Sequence, residues 1–79
     1  MRDLTIFLIS EIIGKDVEFS VSESTEGDKV TLDVVAPEDS VRLIIGKEGK
    51  TIKNIRKILA IVATQKKMVV NINVSAEIK

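Results

Sequence analysis

Hydrophobic positions in the first half of the chain change from a helical period to strict alternation. A helix is expected to start at Asp3, which can act as its N-terminal cap, and to run to about Ile13, before Gly14. Apolar and polar residues then alternate over residues 17–22 and again over residues 30–34, which is typical of strands with one buried face. The polar segment between them contains a glycine, so these two strands are predicted to form a β-hairpin.

The second half returns to helices and ends in a strand. Pro37 stops the second strand and suits the start of a short helix over residues 38–45, which Gly46 would end. A longer helix follows and closes at Lys66 and Lys67, before a β-rich run over residues 69–74. The apolar face predicted for this longer helix consists of Ile52, Ile55, Ile58, Leu59, Val62 and Ala63.

The predicted fold class is α+β, with the element order α-β-β-α-α-β. The long crossover between the second and third strands allows them to be parallel, next to the antiparallel hairpin, so a three-stranded mixed sheet is expected. Three helices would pack on one face of that sheet. A chain of 79 residues has room for one modest core, and residues 1–79 are therefore expected to form a single domain.

Composition excludes several function classes. The chain contains no cysteine and no histidine, so disulfides, thiolate metal sites and the commonest catalytic base are absent. No nucleophile motif or Walker-type loop occurs, and we expect neither catalysis, nor a cofactor, nor a metal site. No apolar run approaches the ~20 residues of a membrane span, and nothing is typical of a signal peptide, so we expect a cytoplasmic protein without membrane insertion.

The formal net charge of zero hides a strong asymmetry along the chain. Residues 1–41 contain ten acidic and three basic side chains, a net charge of −7, whereas residues 42–67 contain eight basic and one acidic, a net charge of +7. A basic block of this kind favours phosphate binding, because cations that neutralise phosphates release counterions. The alternative is a basic helix face that is merely solvated, as charge runs usually are.

The tetrapeptide Gly46-Lys47-Glu48-Gly49 lies at the centre of this basic block, between two predicted helices. Gly-x-x-Gly is common by chance, since glycine occupies ~7% of positions in proteins, so its context must carry the argument. Two glycines allow another backbone to approach closely, and the following helix directs its free N–H groups at the loop. Such a loop can hold a sugar-phosphate chain.

The segment Leu43-Ile44-Ile45-Gly46-Lys47-Glu48-Gly49-Lys50-Thr51-Ile52 resembles the Ile-Gly-x-x-Gly-x-x-Ile signature of KH domains, in the prokaryotic type II arrangement. The resemblance covers nearly the whole chain and implies a non-enzymatic protein whose groove holds about four nucleotides of single-stranded RNA. The chain is similar in size to small bacterial single-KH RNA-binding proteins. That similarity implies an RNA chaperone, a homodimer, a larger KH-containing partner protein and a link to cell shape.

The resemblance implies a set of RNA-binding residues around the loop. The two glycines would admit the phosphates, while the basic side chains beside them would pair with phosphates or extend the positive field. Ile44, Ile45 and Ile52 would help to form an apolar floor, opposite Val70 and Ile72, although core packing is the stronger expectation for Ile45, Ile52 and Ile55. The predicted RNA-binding residues are Arg42, Ile44, Ile45, Gly46, Lys47, Glu48, Gly49, Lys50, Ile52, Lys53 and Arg56.

Two features predict modest affinity and weak sequence preference. Glu48 places a negative charge in the loop, and the only aromatic residues, Phe7 and Phe19, lie outside it. Stacking of bases on aromatic rings, at ~1–3 kcal/mol each, is therefore not expected at the loop.

An assembly module that mainly binds protein is the alternative function. Ile6 and Phe7 widen the apolar region of the first helix beyond one core-facing stripe, and Ile61 lies off the apolar face of the longer helix. These three residues are the predicted partner contacts. A small domain that simply exposes some aliphatic side chains would show the same pattern.

Overall fold

The computed structural model describes residues 1–77, so the last two residues of the predicted single domain lie outside the described part. Its elements follow the predicted order, with a short 3₁₀ turn between the second and third helices. They are α1 (Arg2–Ile13), β1 (Ser20–Glu26), β2 (Lys29–Ala36), α2 (Glu38–Ile45), the 3₁₀ turn (Lys47–Gly49), α3 (Lys50–Gln65) and β3 (Val69–Ala76).

The three strands form one mixed sheet in the order β1-β2-β3. β1 and β2 are antiparallel, with Glu26 opposite Lys29 beside the hairpin turn, and β2 and β3 are parallel, with Thr31 opposite Asn71. This arrangement confirms the predicted fold class. It also leaves β3 at one edge of the sheet, next to α3.

The core lies on one face of the sheet. On β2 the side chains of Val30, Leu32 and Val34 are buried while the residues between them point to the open face. Each helix contributes a fully buried aliphatic side chain, namely Ile9, Ile44 and Leu59. Burial of one such side chain contributes about 1.5–3 kcal/mol, so all three helices are held to the same face of the sheet.

The predicted N-terminal cap of α1 was wrong. Asp3 does not cap the helix, because Met1 holds the N-cap position without a side-chain hydrogen bond and Asp3 lies in the first turn. The Thr5 hydroxyl instead donates to the Met1 carbonyl oxygen at 2.8 Å. Gly14 does end the helix, with φ 92° and its N–H donating to the Ser10 carbonyl oxygen.

β1 starts and ends later than the hydrophobic alternation indicated. It runs through the polar residues that were expected to form the hairpin loop, and only residues 27 and 28 make the turn. β1 is an edge strand, and its backbone pairs with β2 whether or not its side chains are apolar. Val17 and Phe19 precede the strand and still pack partly against the core.

The buried line of α3 is narrower than predicted. Ile55, Leu59 and Ala63 are buried, at a spacing of four residues. Ile58 is exposed, because it lies about 100° around the helix from Leu59. The expectation that Ile58 belongs to the core face was therefore wrong.

Candidate nucleic-acid interface

Gly46 ends α2 and is packed against the first turn of α3. Its φ of 77° and ψ of 175° lie in a region that is essentially open only to glycine, and its N–H donates to the Arg42 carbonyl oxygen at 2.9 Å. A Cβ atom at this position would lie 2.7 Å from Cβ of Thr51 and 2.9 Å from its backbone nitrogen. Glycine at position 46 is therefore required by both the backbone conformation and the close packing.

The loop then makes two consecutive left-handed residues. Glu48 has φ 58° and ψ 23°, and Gly49 has φ 76° and ψ 14°. The Gly49 N–H donates to the Gly46 carbonyl oxygen at 3.2 Å, which closes the turn, and α3 begins at Lys50. Left-handed turns of this kind can form backbone concavities that bind anions, and this one lies directly before the N-terminal end of a 16-residue helix.

Five basic side chains surround the loop and are exposed to solvent. Arg42 forms an ion pair with Glu38 on the same helix, 3.8 Å from Nη2 to Oε1, in a highly exposed position where such a pair is weak. The other four belong to no ion pair within 4 Å among residues 1–77, so their charges are not neutralised locally. They are Lys47, Lys50, Lys53 and Arg56.

A groove of about 620 Å³ lies beside α3. One wall is formed by Arg56, Leu59 and Ala60 of α3, and the other by residues 70–73 of β3. Residues 70 and 72 are the two that were expected to form the wall opposite the helix. Arg56 lies about 9 Å along the helix axis from Lys50, since the rise is ~1.5 Å per residue, so the groove is close to the loop.

The three isoleucines expected to form an apolar floor have different environments. The side chain of Ile44 is 0% exposed and belongs to the core, so the structure removes it from the predicted floor. Ile45 is 38% exposed and Ile52 is half-buried, so both have surface that a ligand could reach. The stronger expectation of core packing was wrong for Ile45 but is confirmed for Ile55, which is buried.

Leu43 was missed by the sequence reasoning. It is 56% exposed on α2, three residues before the loop begins. Ser40 and Ile44 are the buried residues of this helix, which turns the side chain of Leu43 away from the core. The sequence held no signal that separates Leu43 from its neighbours, because residues 43–45 are all apolar.

The predicted partner contacts lie on two helices. Phe7 is 59% exposed on α1, while its neighbour Ile6 is half-buried against the core. Ile61 is 61% exposed on α3 and borders a shallow hollow of about 320 Å³ with Ala60 and Thr64. The structure therefore places Phe7 and Ile61 on the surface.

Residues 1–77 contain neither a cluster of metal ligands nor a helix that could span a membrane. No group of three or more acidic, histidine or cysteine side chains in this part of the chain could hold a metal ion. None of the described helices is long and apolar enough to cross a membrane.

Comparison with a protein family and comparison with individual proteins give the same result. The family described as KhpA/KhpB, KH domain, matches residues 2–74. The RNA-binding protein KhpA of Chlamydia caviae is 31% identical over 78 residues, which cover 99% of this chain and 95% of that protein. The RNA-binding protein KhpA of Chlamydia trachomatis serovar D is 30% identical with the same coverage.

Proposed function

This chain belongs to the KhpA/KhpB family of KH domains, and on that premise we propose that it is a non-enzymatic RNA-binding protein. Its Gly46-Lys47-Glu48-Gly49 loop would clamp about four nucleotides of single-stranded RNA by their backbone. The observation that carries this proposal is the loop itself: an exposed left-handed turn at the start of α3, surrounded by unpaired lysines and adjacent to a groove.

The physical basis of the clamp is electrostatic. The N-terminal end of α3 carries a partial positive charge, and Lys47 and Lys50 flank it with full charges. An RNA backbone can approach Gly49, where a side chain would otherwise project into open space, whereas the space beside Gly46 is filled by Thr51. Lys53 and Arg56 continue the positive field along the helix toward the groove, where bases can contact Val70.

The same geometry fits an RNA chaperone, and we propose the cytoplasm as its location. A chaperone has to release its RNA, and this interface combines phosphate attraction with features that keep affinity modest. Glu48 places a negative charge in the loop, and neither aromatic residue belongs to the loop or to the helices on either side of it: Phe7 is on α1 and Phe19 directly precedes β1. The protein would therefore hold unpaired segments weakly and read little of their sequence.

Titration of fluorescein-labelled single-stranded RNA against wild type and a Lys47→Asp/Glu48→Asp double variant tests the clamp. The variant places two acidic groups in the loop, so affinity should fall at least tenfold. Aspartate tolerates the left-handed backbone at position 48, so the variant should keep the loop conformation. Lys15→Asp, an exposed charge reversal beyond α1, is the matched control and should retain most of the affinity.

Equal binding by wild type and the double variant would refute the clamp. Because all the substituted side chains are on the surface, both variants should keep the wild-type fold. Circular dichroism and thermal unfolding check this before the affinities are compared.

A second candidate function is an assembly module, either a homodimer or a complex with a larger KH-containing protein, in which RNA contact is secondary. The exposed side chain of Ile61 favours it, because this large aliphatic group among Asn54, Lys57 and Gln65 is 61% exposed and is not among the described residues that pack against the core. On this proposal Phe7 and Ile6 would extend the contact surface on α1.

Sedimentation velocity without RNA tests the assembly function. If Ile61 mediates self-association, Ile61→Lys should shift the protein to the monomer, whereas Ser22→Lys on the open face of the sheet should not. An unchanged sedimentation coefficient for Ile61→Lys would remove Ile61 from the interface.

A further inference from the structure

The groove beside α3 does not end at the outer strand of the sheet. Its lining includes Val70 and Ile72, which point toward the helices, and also Asn71 and Asn73, which point toward the open face. It continues to Lys29 and Thr31 on β2, whose side chains also belong to the open face. The concavity therefore crosses the edge of the sheet at β3.

Hydrogen-bonding groups occupy the part of the groove on the open face. Thr31 lies directly opposite Asn71 in the register of β2 and β3, and brings a hydroxyl group next to an amide. The Asn73 amide donates to Asp33 at 3.1 Å, which fixes its orientation, whereas no hydrogen bond ties the Asn71 side chain among residues 1–77. Amide and hydroxyl groups are the side chains that read the edges of unpaired bases.

We propose, on the basis of the RNA clamp, that a bound RNA strand continues from the loop across the edge of β3 onto the open face of the sheet. There, Asn71 and Thr31 would bind base edges, and Lys29 would bind a phosphate. The footprint on RNA is then longer than the four nucleotides held at the loop. This second contact gives the protein a source of sequence preference that does not depend on aromatic stacking.

The chemistry of this surface favours RNA over a protein partner. Stable protein interfaces need an apolar centre, whereas the side chains along this path are lysine, threonine and asparagine. The path is also continuous with Arg56, which links it to the basic block. Glu26 and Asp33 lie beside it and weaken the attraction for phosphate, so the expected contribution of Lys29 is small.

The dependence of affinity on RNA length tests the proposal. The probes are fluorescein-labelled oligouridines of four and eight nucleotides, titrated against wild type, a Lys29→Ala/Asn71→Ala variant and a Lys15→Ala/Asn54→Ala control. The first variant should lose about threefold or more in affinity for the longer probe and keep its affinity for the shorter one. The ratio of the two affinities is compared between proteins, so that the additional registers on the longer probe cancel.

The outcomes separate this proposal from the clamp. An unchanged ratio in Lys29→Ala/Asn71→Ala, together with reduced binding of both probes by the loop variant, would refute the extended path and leave the clamp in place. A loop variant that binds both probes as wild type does would refute the clamp and the extension together. All four substituted residues are exposed, so the substitutions should not unfold the protein, and a change in affinity can be attributed to the lost contacts.

Discussion

At the scale of single residues, the charge and the backbone of Glu48 have separate effects. Its left-handed conformation is uncommon for a residue with a side chain, and it sets the direction of the loop N–H groups. On the proposed clamp, its carboxylate would lie near the phosphates that Lys47 and Lys50 attract. The residue would then lower RNA affinity through its charge while its conformation shapes the loop.

The substitution Glu48→Gln tests the effect of the charge separately from that of the backbone conformation. Glutamine keeps the length and the backbone cost of glutamate, so the free energy of unfolding should fall only by the lost attraction to the N-terminal end of α3, about 0.3–1 kcal/mol, while RNA affinity should rise roughly twofold to fivefold. Fluorescence anisotropy at low salt measures this, with Glu11→Gln on α1 as the control for a general change in net charge. An affinity equal to wild type would mean that the carboxylate points away from the bound strand.

Gly46 is the residue at which the loop should be most sensitive to a methyl group. Gly46→Ala meets the first turn of α3 and should cost about 2–4 kcal/mol of stability, through left-handed strain and overpacking together. Gly27→Ala is the matched control, because Gly27 has φ 61° and open space around it, so strain alone should cost ~1 kcal/mol. Urea denaturation of both variants measures the difference, and similar losses would contradict the close packing.

At the scale of elements, α3 connects the core to the interface. Leu59 is fully buried and also lines the groove, so the same helix that carries Lys53 and Arg56 is held to the sheet by aliphatic packing. The orientation of the basic side chains thus depends on how the buried residues of α3 pack against the sheet.

Leu59→Ala should destabilise the protein by about 2–5 kcal/mol, because it removes a fully buried side chain and leaves a cavity. Ile58→Ala, one position earlier and exposed, should cost less than ~1 kcal/mol. Thermal or urea unfolding distinguishes the two variants. A loss at Ile58 comparable to that at Leu59 would mean that Ile58 is covered in solution, as it would be in an assembled form.

The elements differ in how well the sequence predicted them. Pro37 and Gly46 fixed both ends of α2, because each restricts the backbone whatever the tertiary context. β1 was misplaced because most of its side chains are polar and exposed, and only its pairing with β2 defines it. The run of residues 43–45 is apolar throughout, so its pattern could not show that only the middle residue is buried.

At the scale of the whole molecule, the two halves of the chain carry opposite charge. The basic side chains of residues 42–67 lie on α2, the loop, α3 and the turn that follows, while the acidic half supplies α1 and the hairpin. A zero net charge therefore does not oppose RNA binding, since the charged side chains that line the groove are Lys29 and Arg56.

Salt should weaken RNA binding in proportion to the phosphates that are contacted. If the loop and the extended path together engage about three or four phosphates, log K should fall with log[salt] at a slope of about −2 to −3 for a single strand. Affinities measured from 50 to 300 mM potassium chloride give the slope. Lys29→Ala should reduce it by less than one unit, and a flat dependence would contradict a contact made through phosphates.

The two edges of the sheet differ in their resistance to strand addition. On β1, the Arg2 guanidinium donates through Nε to the Val21 carbonyl oxygen at 2.8 Å, and Glu26 adds a like charge that repels a second copy. β3 pairs with β2 on one side, and within residues 1–77 no strand covers its other side. The edge that the RNA strand would cross is thus also where the free protein is most exposed to aggregation, so bound RNA should increase its solubility.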